Sequence, residues 1–297
     1  MKLAVFDIGG SFVKYGLWDG ELRQTSKFPT PKSYEEMQAE LTKVVKSFGP
    51  EIEGVAFSAP GAVNVAERRI DGISAVPYIH HRPIFDELAA SFGLPVTMEN
   101  DANCAGIAEV QIGAGRQAEN AVFVVIGTGV GGAIFIDRKL YKASHLFGGE
   151  FGLMKPRGEK TLSQQGTAVK AAERYSEIKG EAVDGQQLFS LQEEGDVLAD
   201  LIVNELYDQI ALTLYNIQVS IDPDTIILGG GISARPELAT ALSNRLHKLL
   251  AEEGVAEIMP KVTTCEFQND ANLLGAALNF ELLQQKNDAE KCCCLSL

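Results

Sequence analysis

Two stretches far apart in the chain follow one plan. VFDIGGSFVKYGLW (residues 5–18) and VVIGTGVGGAIFID (residues 124–137) each read as apolar strand, glycine-rich turn, apolar strand. Such an echo predicts a duplicated core of two lobes, each opening on a glycine hairpin, with the hairpins facing one another across a cleft. Around them the short β-rich runs GVAFSA, VTMEN, TIILGG and KVTTCEF alternate with longer stretches of helical period, the pattern of an α/β protein. The clearest helix runs from Val197 to Val219, where Leu198, Leu201, Ile202, Leu206, Ile210, Leu214 and Ile217 mark one buried face. Asp222-Pro223 ends it. No Pro/Ser-rich linker separates the halves, so the boundary is expected near Gly113 to Asn120. The last helical stretch, ANLLGAALNFELLQQ, is expected to return to the first lobe. The lobes are then residues 1–115 with 278–297, and 116–277.

At 297 residues and 45% hydrophobic, the chain is long enough to bury two cores. A formal net charge of −14 argues against a sequence-independent grip on nucleic acid, which needs clustered Lys and Arg. Neither a signal-peptide pattern nor a run of membrane-spanning length is visible, so the cytoplasm is the expected location. Cys104 and Cys265 stand alone and three more cysteines crowd the KCCCLSL tail, so no disulfide framework or metal-ligand spacing forms. A reducing compartment fits. CLSL scans as a C-a-a-X prenylation box but lacks a polybasic run, and a frayed tail is the simpler reading.

Gly127, Gly129 and Gly132 satisfy G-x-G-x-x-G, yet GAIFID follows as strand where a dinucleotide site needs a helix. No Walker lysine and no protein-kinase motif set is present. What remains is a pair of turns whose N–H groups are unobstructed by side chains and suited to phosphate oxygens. Either turn alone reads equally well as a tight hairpin. A third cluster, TIILGGGIS, again ends a strand, where α/β proteins bind ligands. In VTMENDANCAGIAEV, Asn100 or Asp101 caps the following helix, or Asp101 serves as a general base toward a hydroxyl nucleophile. His80, His81, His145 and His247 include no metal-ligand pair, and surface or loop roles are expected. No serine lies in a nucleophile elbow.

The order Asp7-Ile8-Gly9-Gly10-Ser11 with Lys14, Asn100-Asp101-Ala102-Asn103, Gly127-Thr128-Gly129-Val130-Gly131-Gly132, Gly148-Gly149-Glu150-Phe151-Gly152 and Leu228-Gly229-Gly230-Gly231 resembles the ROK family of bacterial sugar kinases, from Met1 to about residue 280. The resemblance implies the actin-like, hexokinase-like ATPase fold, two RNase H-like lobes closing over a sugar and Mg-ATP. It implies Asp101 as the base, Asn100 and Glu150 as holders of ring hydroxyls, and Asp7 as the residue that orients Mg²⁺ and the phosphates. Gly9, Gly10, Ser11 and Lys14 would line the phosphates with Gly127, Thr128 and Gly129, and Gly229, Gly230 and Gly231 would lie under the nucleotide. Gly61 and Ser74 complete the candidate substrate set.

The departures from the family pattern carry information of their own. Many members continue the Gly-Glu-x-Gly motif with a His that touches the sugar near its anomeric end and binds a structural zinc, completed by cysteines and a further sugar-binding Glu. Here Leu153 stands at the His position, MKPRGEKTLSQQGTA follows without Cys, and Ser163 stands where the Glu would be. No zinc site is expected. Space beside the anomeric carbon points to a substituted sugar, a β-glucoside such as cellobiose, as in the zinc-free β-glucoside kinases of the family. Glucose and N-acetylmannosamine are the alternatives. A sugar-responsive repressor of the same family would need an N-terminal helix-turn-helix, whereas the first strand begins at about residue 3. Relatives are commonly dimers, so a homodimer is expected.

Overall fold

The structure, a computed structural model, describes residues 1–294, with side chains as far as Asp288; the CLSL box lies outside the described residues apart from the backbone of Cys294. The run LAVFDI forms β1 (Leu3–Ile8), every residue of which is buried. A strand covered on both faces reads as a continuous apolar run, and Asp7 is the only charge β1 carries inside. It pairs antiparallel with β2 (Phe12–Trp18), which closes the first glycine hairpin and sets Asp7 opposite Lys14. β3 (Leu22–Pro29) adds an outer, mostly exposed strand. Ser33 caps α1 (Tyr34–Ser47), which buries Met37, Leu41, Val44 and Val45. β4 (Gly54–Ala59) then lies parallel to β1. A small hairpin, β5 (Ala62–Asn64) and β6 (Arg69–Asp71), precedes α2 (Ile84–Phe92). β7 (Val96–Asn100) lies parallel to β4, and α3 (Asp101–Ile112) begins at the next residue.

The plan then repeats. β8 (Ala121–Ile126) and β9 (Val130–Ile136) form the second glycine hairpin, and the short β10 (Lys139–Leu140) pairs outside it. Four helices follow: α4 (Leu162–Gln165), α5 (Ala168–Lys179), α6 (Gly185–Glu193) and α7 (Val197–Ile221). β11 (Thr225–Gly229) lies parallel to β8, and after α8 (Leu238–Glu252) β12 (Lys261–Thr264) lies parallel to β11. The two five-stranded sheets have the orders β3-β2-β1-β4-β7 and β10-β9-β8-β11-β12, one topology written twice. α9 (Ala271–Cys294) then packs on β1, β4 and β7.

The chain divides into Met1–Gln111 with everything from Asn269 onward, and Ile112–Gln268. The return begins at Asn269, upstream of the expected 278, because α9 lies on the first sheet from its first turn. Each unit holds its own apolar core, one around the stacked Phe6 and Phe57 rings and one around α7. The helical face expected on α7 needs one correction: Leu201 is 53% exposed. α5, α6 and α8 all pack on α7, so its buried face is wide and takes in Ala199, Val203, Tyr207 and Ala211, while Leu201 points away. Among the described residues no helix is long and apolar enough to cross a membrane.

The first unit depends on α9 approaching closely. Gly54 lies under the Phe280 ring, and a Cβ on Gly275 would run into the backbone carbonyl of Cys104 on α3. Two backbones in contact have no rotamer with which to relieve a clash, so overpacking here costs about 2 kcal/mol or more. Gly275→Ala is expected to lower the thermal unfolding midpoint by several degrees, an unchanged midpoint showing that α3 and α9 can part freely.

Candidate active site

In the first unit the carboxyl ends of three parallel strands set polar groups in one row: Asp7 is in register with Ser58, and Ser58 with Glu99. Asp7 is only 7% exposed, and its Oδ1 accepts from Ser58 Oγ at 2.7 Å and from Asn272 Nδ2 at 3.0 Å. No described residue donates to Oδ2. A fixed carboxylate with one uncommitted oxygen fits Mg²⁺, which keeps most of its waters and takes one or two carboxylates beside a phosphate.

The adjoining turn is closed from Gly9 N–H to Phe12 O at 3.0 Å, with no room for a Cβ on Gly9. Thr30 occupies its carbonyls, donating through Oγ1 to Gly9 O at 2.6 Å and through N–H to Ser11 O at 3.0 Å. The exposed N–H groups of Gly10 and Ser11 make no hydrogen bond to a described residue. The turn therefore spends its acceptors inward and keeps its donors, as an anion site requires. Lys14 reaches the carbonyl of Asn269 at 3.3 Å.

The cap of α3 is Asn100. Its Oδ1 accepts from the N–H of Ala102 at 3.0 Å and of Asn103 at 3.2 Å, while Nδ2 donates to Gly61 O at 3.0 Å. The buried Glu99 accepts from Asn100 N at 2.8 Å and from Asn103 Nδ2 at 3.0 Å. Asp101 follows as the first helical residue, its Oδ1 accepting from Ala102 N at 2.9 Å. Ser74 Oγ lies 2.7 Å from His80 Nε2 and accepts from Val76 N at 3.1 Å. His80 lies in a loop, one of the two roles expected of the histidines, but away from the surface. It is 9% exposed and burial pushes its pKa below the usual histidine value, whereas His81, His145 and His247 are exposed.

In the second unit, a Cβ on Gly127 would meet nothing within 4 Å, and one on Gly129 only Ser163 Oγ at 3.6 Å. Gly127, Thr128 and Gly231 border a cavity of about 580 Å³ with Ile232, Phe189 and Arg235, so the second and third glycine clusters converge on one space. Its volume is ordinary for a small-molecule site. The Arg235 guanidinium lies 4.0 Å over the Phe189 ring and pairs with Glu193 at 2.8 Å. Gly229 and Gly230 have a packing requirement of their own: side chains there would strike the Phe123 ring and the Ile126 carbonyl, and Gly230 has φ +85°.

The Gly148–Gly152 segment interlocks with β9. Gly149, at φ +93°, packs on the Gly132 carbonyl, and Gly152 on that of Val130. Glu150 lies exposed between them, yet partial loss of water raises its carboxyl above the ordinary glutamate value. Leu153 is 59% exposed. Ser163 Oγ accepts from Val130 N at 3.0 Å and donates to Val130 O at 3.4 Å, so its hydroxyl ties α4 to β9. Among the described residues no group of three or more His, Cys, Asp or Glu is placed to hold a metal ion. Sequence reasoning missed Ser58, Thr30, Asn272, Glu99, His80 and Arg235, which act through contacts that no local pattern announces.

The sequence profile of the ROK family matches residues 3–282. The chain is 33% identical over 303 residues to the β-glucoside kinase of Listeria monocytogenes, covering 98% of this chain and 100% of that one. It is 33% identical over 305 residues to the β-glucoside kinase of Klebsiella pneumoniae, again covering 98% and 100%. Among solved structures it is similar to a ROK family protein from Streptococcus pneumoniae in complex with sucrose, with a TM-score of 0.88 and 34% identity over 96% of this chain and 100% of that one. The twice-written sheet is the actin-like, hexokinase-like pair of RNase H-like lobes seen in ROK sugar kinases. On the extent of these matches, the chain belongs to the ROK family.

Proposed function

We propose that this protein is an ATP-dependent carbohydrate kinase that phosphorylates O6 of a β-glucoside such as cellobiose. The observation that carries the reading is the turn at Gly9–Ser11, which keeps its N–H donors free beside a buried carboxylate with one uncommitted oxygen. Bound Mg-ATP supplies the phosphoryl group and the counter-charge for it. The N–H groups of Gly10 and Ser11 are suited to phosphate oxygens, and so is the Gly127–Gly129 turn. Gly231 borders the nucleotide cavity. Asp7, with its uncommitted oxygen, is the residue that would hold the metal or a water on it.

Asp101 takes the proton from the attacking sugar hydroxyl. Asn100 holds ring hydroxyls with what its amide has left after capping α3 and bonding Gly61. Glu150 is assigned the same role on the strength of its GGEFG motif, and Gly61 and Ser74 complete the sugar contacts. The phosphoryl group passes directly between positioned oxygens, so positioning and charge neutralisation do the catalysis.

Two observations support a substituted sugar. Relatives at 33% identity are named β-glucoside kinases, whereas the N-acetylmannosamine kinase of Vibrio vulnificus and the glucokinase of Streptomyces coelicolor stand at 27% and 28%, and a Listeria monocytogenes structure titled as an N-acetylmannosamine kinase at 31%. Leu153 offers no polar atom and the Ser163 hydroxyl is already committed to Val130, so neither replaces the anomeric contacts of a His and a Glu.

Asp101→Asn is expected to lower kcat by about 10²–10⁴-fold with little change in sugar KM, the range typical of a lost general base. A coupled ADP-release assay reads this, and near-normal turnover in a folded variant would refute the assignment. In the same assay Asp7→Asn should raise the Mg²⁺ concentration for half-maximal rate by about tenfold or more. Over cellobiose, methyl β-glucoside, glucose and N-acetylmannosamine, the glycosides are expected to give the highest kcat/KM. Preference for a free monosaccharide would overturn the substrate and leave the kinase standing.

A further inference from the structure

His80 is a buried histidine that the mechanism above does not use. It follows the short helical turn Pro77–Ile79 and sits where three pieces of the first unit meet. Its Nε2 lies 2.7 Å from Ser74 Oγ, and its ring covers Gly61 so closely that a Cβ there would stand 2.7 Å from His80 Cε1. Gly61 has φ +100°, a conformation side chains rarely adopt, and its carbonyl receives Asn100 Nδ2 at 3.0 Å. Asn100 in turn caps α3 one residue before Asp101. One imidazole thus touches both Ser74 and the Gly61 turn that receives Asn100.

Burial favours the neutral ring, so one nitrogen carries the proton and the other a lone pair. Nδ1 is buried and makes no hydrogen bond to a described residue, and Nε2 faces Ser74 Oγ. With the proton on Nδ1, the Nε2 lone pair accepts from the Ser74 hydroxyl. Ser74 Oγ already accepts from Val76 N at 3.1 Å. With its proton given to His80, it has one lone pair left and no donor.

We infer that His80 is a positioning residue of the sugar site: it takes the hydroxyl proton of Ser74, so that Ser74 meets the sugar purely as a hydrogen-bond acceptor, and it seats the Gly61 turn that holds Asn100. The inference rests on the reading of Asn100 and Asp101 as the sugar and base residues. It makes Ser74 a specificity determinant, selecting a ring hydroxyl that can donate. Fluorine at that position, which cannot donate, is rejected as firmly as hydrogen.

The test uses whichever acceptor of the sugar panel the wild type phosphorylates, with thermal unfolding measured on each variant. His80→Phe keeps a ring over Gly61 but accepts nothing. It should raise sugar KM about tenfold, the scale of one lost hydrogen bond, with kcat and the KM for ATP within about threefold of wild type. His80→Gln places an amide oxygen near the Nε2 position and should stay within about threefold throughout. Ser74→Ala should match His80→Phe, and the double variant should be no worse than either single one. An unchanged sugar KM in His80→Phe, equal impairment in His80→Gln, or additive effects in the double variant would each overturn the role. Should His80→Phe fail to fold, His80→Asn, too short to reach Ser74, replaces it, and equal behaviour of the Asn and Gln variants refutes the inference. Full turnover in Asp101→Asn would instead remove the site reading beneath it, so the two failures are distinguishable.

Discussion

Ser58 and Asn272 donate to one oxygen of Asp7, and that arrangement governs the first unit. A carboxylate buried among strands is tolerable only when hydrogen bonds replace the water it has lost. The donors come from β4 and from α9, whose residues are 51 and 265 positions away in the chain, so the charge is affordable only once the chain has returned to its first sheet. Gly54 and Gly275 make that return possible by letting α9 lie directly on a strand and on α3. Trp18 reinforces it, its indole donating to Glu281 at 2.8 Å. The energetic cost of holding one anion in place thus explains why the last helix belongs to the first unit.

The strands that face a core on both sides were legible, because β1, β4, β8 and β11 are nearly continuous apolar runs that no surface segment would carry. β3 was not, since LRQTSKFP lies at a sheet edge with most of its side chains in water and so has no alternation to read. The glycine turns were visible as turns, but composition could not say what each glycine is for. Gly127 is open to solvent, whereas Gly230 is required by a carbonyl at its back and a positive φ, and the two look alike in sequence. Likewise Asn100 and Asp101 were equal candidates for the cap until the hydrogen bonds from Ala102 and Asn103 chose Asn100. The burial of His80 was not legible, because it comes from the β5–β6 hairpin folding under it, a contact no local period encodes.

Repetition of the sheet did not bring repetition of the chemistry. Both hairpins put a glycine turn between the same two strands of the plan, yet the first carries a buried Asp and the second, at Val125, an apolar residue. After the hairpin the first unit has only the edge strand β3 and α1 before its next parallel strand, while the second has the short β10, the Gly148–Gly152 segment and four helices. Two of those helices, α5 and α6, line the cavity at Gly127, Thr128 and Gly231, so the added chain builds volume where the first unit built a charge.

The same packing explains why Ser163 differs in kind from a missing sugar ligand. Gly152 approaches so near that even a methyl group on it would crowd the Ser163 hydroxyl, and that hydroxyl holds both backbone groups of Val130. A glutamate in this position would have to give up those two bonds and find room its neighbours do not leave. The short side chain of Ser163 and the absence of one at Gly152 therefore set how closely α4 and the Gly148–Gly152 segment pack on β9.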